Sequence, residues 1–216
     1  MKYRCLILDH DDTVVNSTAT VHYPSFDAYM KLYPPHYRCT LEEYFLRNFH
    51  GVVSFFRDYL GMTDEQILAE EKFWNDYVQK VTPEAYPGIR QLLLRQKQAG
   101  GLICVVSHSY TRNILRDYRA NALPEPDLVF GWESPPQLRK PSPYPVERIL
   151  ERFDLRPGEC LVVDDLKPGF DMARACGVPF AAAGWANDIF EIEQFMRQNS
   201  DVYFKTVEAL ASYLFD

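Results

Sequence analysis

Near the N-terminus a short apolar run, Cys5-Leu6-Ile7-Leu8, breaks off into Asp9-His10-Asp11-Asp12-Thr13. This switch constrains the chain more than anything else in it. A short apolar run bounded by polar residues reads as a strand buried on both faces, the kind found in parallel sheets. Such sheets bind ligands at the carboxyl ends of their strands, where the acidic residues fall. If strand geometry persists, Asp9 and Asp11 point to one side and His10 to the other. Two carboxylates on one side repel each other unless a cation or a shared proton lies between them. A hard divalent cation such as Mg2+, which prefers oxygen ligands, meets that need.

From Pro83 onward strand-like and helix-like segments alternate, the pattern of an α/β doubly wound parallel sheet. Helices are expected over Ile89–Gln98, Thr111–Ala120, Pro143–Phe153 and Gly169–Cys176, and near Phe190 and Val207–Leu214. Strands are expected at Leu102–Val106, Leu128–Phe130, Cys160–Val163 and Pro179–Ala183, which with the first makes about five. Residues 16–82 hold no convincing strand and form a small all-helical insert, leaving 1–15 and 83–216 as the α/β core. Within the insert, Thr40-Leu41-Glu42-Glu43 and Thr63-Asp64-Glu65-Gln66 have the form of capping boxes, and Val52–Leu60 is apolar at helical spacing up to Gly61. Its many aromatics are expected to build the insert's own core rather than to stack a ligand.

Composition narrows the function. A formal net charge of -7 over 216 residues leaves no basic face for nucleic acid. No stretch approaches the roughly 18 apolar residues of a membrane span. The five cysteines form no C-x-x-C pair, and three lie in strand-like runs, which fits a reducing cytoplasm. No obligate protein partner is evident. The glycine-rich dinucleotide and P-loop patterns do not occur. Read as an EF-hand loop, Asp9-x-Asp11-x-Thr13 fails, because Val14 stands where the glycine is required and Thr20 where the final glutamate is.

Three buried strands end in different polar groups: Asp9/Asp11/Thr13, Ser107/His108 and Asp164/Asp165, with Lys140 in a proline-bounded loop. In a parallel sheet these ends share one edge. A nucleophilic carboxylate, a second carboxylate for proton transfer, acidic metal ligands and a lysine together suit phosphoryl transfer, which demands positioning and charge neutralisation. The four segments, in order, resemble the motifs of the haloacid dehalogenase superfamily. Asp9-His10-Asp11-Asp12-Thr13 is similar to its Asp-x-Asp-Gly-Thr, Ser107 to the hydroxyl ending the next core strand, Lys140-Pro141-Ser142-Pro143 to its lysine loop, and Asp164-Asp165 to its closing acidic pair.

The resemblance implies a Mg2+-dependent phosphohydrolase of a small phosphorylated metabolite, working through an aspartyl-phosphate. It implies Asp9 as nucleophile and Asp11 as acid and base, with Mg2+ held by Asp9, the Asp11 backbone carbonyl, Asp165 and Asp164. Ser107 and Lys140 would bind the phosphoryl group, with Thr13 and His108 beside it. The insert resembles the helical cap that closes over substrate in such enzymes, and His50, at a helix junction, is its expected specificity residue. Arg38, Arg47 and Arg57 are alternative anchors for a second anion. A phosphomutase of the beta-phosphoglucomutase type is the second enzymatic reading, and a phospho-ligand binding module without turnover is the alternative of another class. Two positions depart from the family pattern. Asp12 replaces glycine and is expected to point away and bond to backbone, and His10 is expected to pack behind the site. Ser109 is expected to cap the following helix.

Overall fold

The computed structural model describes all residues 1–216. Six parallel strands form one sheet in the order β3-β2-β1-β4-β5-β6: β1 Cys5–Leu8, β2 Leu102–Val106, β3 Leu128–Phe130, β4 Cys160–Asp164, β5 Phe180–Ala183 and β6 Val202–Phe204. The sequence reading lacked β6. It is only three residues long, half-buried and at the sheet edge, so the long apolar run that betrays an inner strand is missing.

Strict alternation divides each central strand between two cores. Leu6, Leu8, Ile103, Val105, Leu161 and Val163 face one layer, where they meet helices α5 (Ile89–Gln98), α6 (Thr111–Ala120) and α10 (Val207–Phe215). Cys5, Ile7, Cys104, Val106, Cys160 and Val162 face the other, packed on α7 (Tyr144–Phe153), α8 (Lys167–Ala175) and α9 (Phe190–Asn199). β1 is central, with Leu8 level with both Val105 and Val163. The residues that follow these strands therefore emerge together at one edge. No helix is long and apolar enough to cross a membrane.

The insert opens with a π-helical turn, Thr18–His22, that runs into α1 (Tyr23–Leu32). It continues through α2 (Leu41–Asn48), a short α3 (Val52–Ser54), a second π-helical turn (Phe55–Tyr59) and α4 (Asp64–Val78). Thr63 and Gln66 close a full capping box on α4. Thr40 caps α2 alone, since the Glu43 side chain turns to the Tyr37 hydroxyl. Phe26 is the hub of a separate aromatic cluster, with ring centroids 4.9 Å from Tyr44, 5.5 Å from Phe55 and 5.9 Å from Phe56. Its two connections to the sheet run side by side, with Asn16 N–H donating to Glu84 O at 2.9 Å and Tyr86 N–H to Val14 O at 3.0 Å. A second seam forms at the end of α2, where Phe49 packs edge-on against Phe195 of α9, centroids 5.3 Å apart, and Lys167 N–H donates to Phe49 O.

Candidate active site

At the carboxyl edge of the sheet Asp9, Asp164 and Asp165 converge, all buried, with one carboxylate oxygen from each within 4.8 Å of the others. Lys140 lies between two of them, its Nζ 2.7 Å from Asp164 Oδ2 and 3.0 Å from Asp9 Oδ1. Asp9 Oδ1 also accepts from the His10 N–H at 2.7 Å, while Asp9 Oδ2 has no partner in the chain. Burial pushes Asp9 up to about 7 against the pull of Lys140. Asp165 stands well above the carboxylate range, through burial first and then the charges of Asp12, Asp164 and Asp9. Lys140 is held above its ordinary value because Asp164 and Asp9 outweigh its own burial.

Asp164 is fixed from below. Its Oδ1 accepts from the Leu166 N–H at 2.8 Å, and the first turn of α8 crosses it so closely that a Cβ on Gly169 would sit 2.0 Å from Oδ2. Only a residue with no side chain fits there.

Asp11 lies outside this trio and is engaged by the motif residue Ser107 and by two groups the motifs do not mention, His22 and Ser109. Its Oδ1 is 2.9 Å from His22 Nε2, and its Oδ2 accepts from Ser109 Oγ at 2.6 Å and Ser107 Oγ at 3.3 Å. Trp74 of α4 donates its indole N–H to His22 Nδ1 at 2.8 Å. That nitrogen is therefore the bare one, and Nε2 carries the hydrogen given to Asp11. Burial alone would raise Asp11, but His22 and the Ser109 hydroxyl together hold it well below the carboxylate range. Ser109 thus binds Asp11 instead of capping α6, whose N-cap makes no side-chain bond. No motif pointed to His22, a histidine within a polar and aromatic stretch.

Asp12 adopts the left-handed backbone (φ 56°) that the family glycine would supply. Its Oδ1 turns to the Thr18 N–H at 3.1 Å and the Tyr86 hydroxyl at 3.4 Å, anchoring the π-turn that carries His22. Burial raises it to about 6. His10 lies behind the site, Nε2 3.1 Å from Asp117 and its ring stacked on Tyr118. Thr13, expected at the substrate, points to Asp165 instead (3.4 Å) and does not line the cavity. His108 does line it. Burial, then Lys140, pushes it down to about 3, so its neutral ring bonds the Lys140 carbonyl at 3.0 Å. His50 is exposed and reaches no part of the cavity, because Phe49 takes the inward position at that junction.

The cavity of about 150 Å³ lies between the sheet edge and the insert. α4 covers it with one face, Ile67, Glu70, Glu71 and Trp74, and Tyr44, Phe45, Phe56 and Trp132 complete the apolar walls. Arg38, Arg47 and Arg57 do not line it. Arg57 pairs with Asp64 at 2.5 Å, Arg47 lies over Tyr59 with Glu43 3.6 Å away, and Arg38 is exposed.

The chain belongs to the haloacid dehalogenase-like hydrolases, whose family model matches residues 3–177, and is on that ground an enzyme of the hydrolase class. Over 140 residues, 63% of this chain and 56% of the relative, it is 31% identical to a phosphoglycolate phosphatase of Nitrosospira multiformis. It is 28% identical over 102 residues to protein CbbY of Cupriavidus necator, covering 43% of this chain and 38% of that one. The chain thus spans about half, or less, of the curated relatives it matches. Among solved structures, a haloacid dehalogenase-like hydrolase of Bacteroides fragilis superposes with a TM-score of 0.81 at 21% identity, over 97% of this chain and all of that one.

Proposed function

We propose that the protein is a Mg2+-dependent phosphohydrolase acting on a small phosphorylated metabolite, with residues 16–82 as a cap over a core of 1–15 and 83–216. The observation that carries this is the buried trio Asp9, Asp164 and Asp165 around Lys140 at the strand ends. An all-oxygen, carboxylate-rich donor set fits a hard divalent cation. Asp9 and Asp165, with the Asp11 carbonyl and Asp164, are the residues that would hold it. When bound, Mg2+ supplies the positive charge that lets a phosphate dianion enter among carboxylates and polarises its oxygens.

The chain's own residues account for the rest. The unpartnered Oδ2 of Asp9 attacks phosphorus while Lys140 holds Oδ1 and the phosphoryl oxygens. The P–O bond to the leaving group breaks, and the departing oxygen takes a proton from Asp11, which is held ionised in the free enzyme and takes that proton up from solvent as substrate binds. Water then attacks the aspartyl-phosphate, Asp11 takes the water's proton back, and inorganic phosphate leaves. Ser107 and Ser109 steer the Asp11 carboxylate by their hydroxyls. The helical lid restricts water during the first step.

Hydrolysis of p-nitrophenyl phosphate tests this directly. Phosphate release is expected only with Mg2+, to stop on chelation, and to fall by at least about 1,000-fold in Asp9→Asn, which keeps the shape but not the nucleophile. Unchanged turnover in Asp9→Asn overturns the assignment.

A further inference from the structure

Glu70 has no role in the chemistry above, yet it is only 7% exposed and lines the cavity, its carboxylate making neither a hydrogen bond nor an ion pair within the chain. A buried carboxyl without a partner either keeps its proton or, if a cation is brought to it, ionises and pairs with that cation. Its neighbour Glu71 is different, because Tyr110 (2.6 Å) and Trp132 (2.8 Å) both donate to it. Lys140 is the only lysine or arginine lining the cavity, and it is already bound to Asp9 and Asp164. The part of the cavity beneath α4 therefore has no lysine or arginine to receive a second anionic group, and its one basic side chain, His22, is committed through both nitrogens to Asp11 and Trp74. Its Trp walls offer no free face, since Arg139 already lies over the Trp132 ring at 3.8 Å and Trp74 is stacked on His22 and Tyr110, so Glu70 is the group left to meet a cation. A hydroxyl would supply no countercharge to Glu70, and a carboxylate would be repelled by it.

Resting on the phosphohydrolase reading, we propose that the substrate is a phosphomonoester of an amino alcohol, and that Glu70 selects its ammonium group. The names of two relatives point elsewhere. Phosphoglycolate carries a carboxylate, and the xylulose bisphosphate bound to CbbY of Rhodobacter sphaeroides (16% identity, TM-score 0.71, 94% of each chain) carries a second phosphate. Neither finds a free cation here.

Three esters of near-equal size isolate the charge of the leaving group: phosphoethanolamine, 2-hydroxyethyl phosphate and phosphoglycolate. With Mg2+ and the full chain, kcat/KM is expected to fall in that order, with phosphoethanolamine at least about tenfold ahead of the hydroxyl ester. In Glu70→Gln the ratio between those two is expected to collapse toward one. A hydroxyl ester as good as the amine, a preference for phosphoglycolate, or a ratio unmoved by Glu70→Gln each overturns the proposal. The wild-type order decides even if the variant folds poorly. If p-nitrophenyl phosphate is cleaved and stops with Asp9→Asn while the amine shows no advantage, the amino-alcohol proposal alone fails. If no ester is cleaved, both fail.

Discussion

At Glu70, burial and then the Glu71 charge raise the carboxyl from the ordinary 4.5 to about 8, with His22 opposing. Between those values the folded chain keeps a proton that the unfolded chain has released, so this residue's support for the fold is complete at low pH and lost as pH rises toward 8. Glu70→Gln mimics the protonated form. Its unfolding free energy is expected to gain on the wild type as pH is raised from about 5 to about 8, by at most roughly 1.4 kcal/mol per pH unit, read by denaturant unfolding at each pH. A gap that is flat with pH removes the explanation. His22 is a second residue with a sharp expectation. Without its Nε2–H the Asp11 carboxylate loses a held orientation, and His22→Ala is expected to lower kcat by roughly 10- to 100-fold with little change in KM. Equal losses in both constants would point to a binding role instead. Glu70 was legible in principle, since it stands in helical phase with Ile67, Trp74 and Val78 where an apolar residue belongs. His22 was not, because its partner Asp11 reaches it only through a π-turn that no periodicity announces.

Among the elements, the four strand ends were legible because buried apolar runs stop abruptly in polar residues, and parallel pairing then leaves them no place but one edge. The path of the insert was not. Its aromatics identify a core, but Phe49 rather than His50 turns inward, a choice made by the fit against Phe195 and not by local pattern. α8 carries the tightest local requirement. In an ordinary helix Gly→Ala is favourable by up to about 1 kcal/mol. At Gly169 the added methyl would meet Asp164 Oδ2 at 2.0 Å, so Gly169→Ala is expected to destabilise by roughly 1–3 kcal/mol and to displace the Asp164–Lys140 pair. Denaturant unfolding alongside phosphatase assay checks it. A stabilised and fully active variant would mean that α8 shifts freely.

Across the whole molecule, charge is distributed so that the sheet edge is acidic and the cation count there is one. The same imbalance that suits a cation beside Asp9 leaves the insert side of the cavity with Glu70 and Glu71 and no lysine or arginine, so the two halves of the site differ in what they ask of a ligand. The sequence shows the first half through its motifs. The second depends on which face α4 presents to the sheet, settled by the packing of α1 and α4 around Phe26, Tyr29 and Phe73.

The paired connections at Val14–Asn16 and Glu84–Tyr86 have a further consequence, for the kinetics of motion. Because the chain leaves and rejoins the sheet through two segments bonded to each other, the insert is tethered at a single stitched point, and rotation about that stitch leaves both bonds intact. Opening of this kind would pass unnoticed by the amide protons of Asn16 and Tyr86, which should exchange with solvent as slowly as those of the inner strands, while the Lys167 amide across the second seam, given to Phe49 O, should exchange on the faster clock of the insert's own rotation.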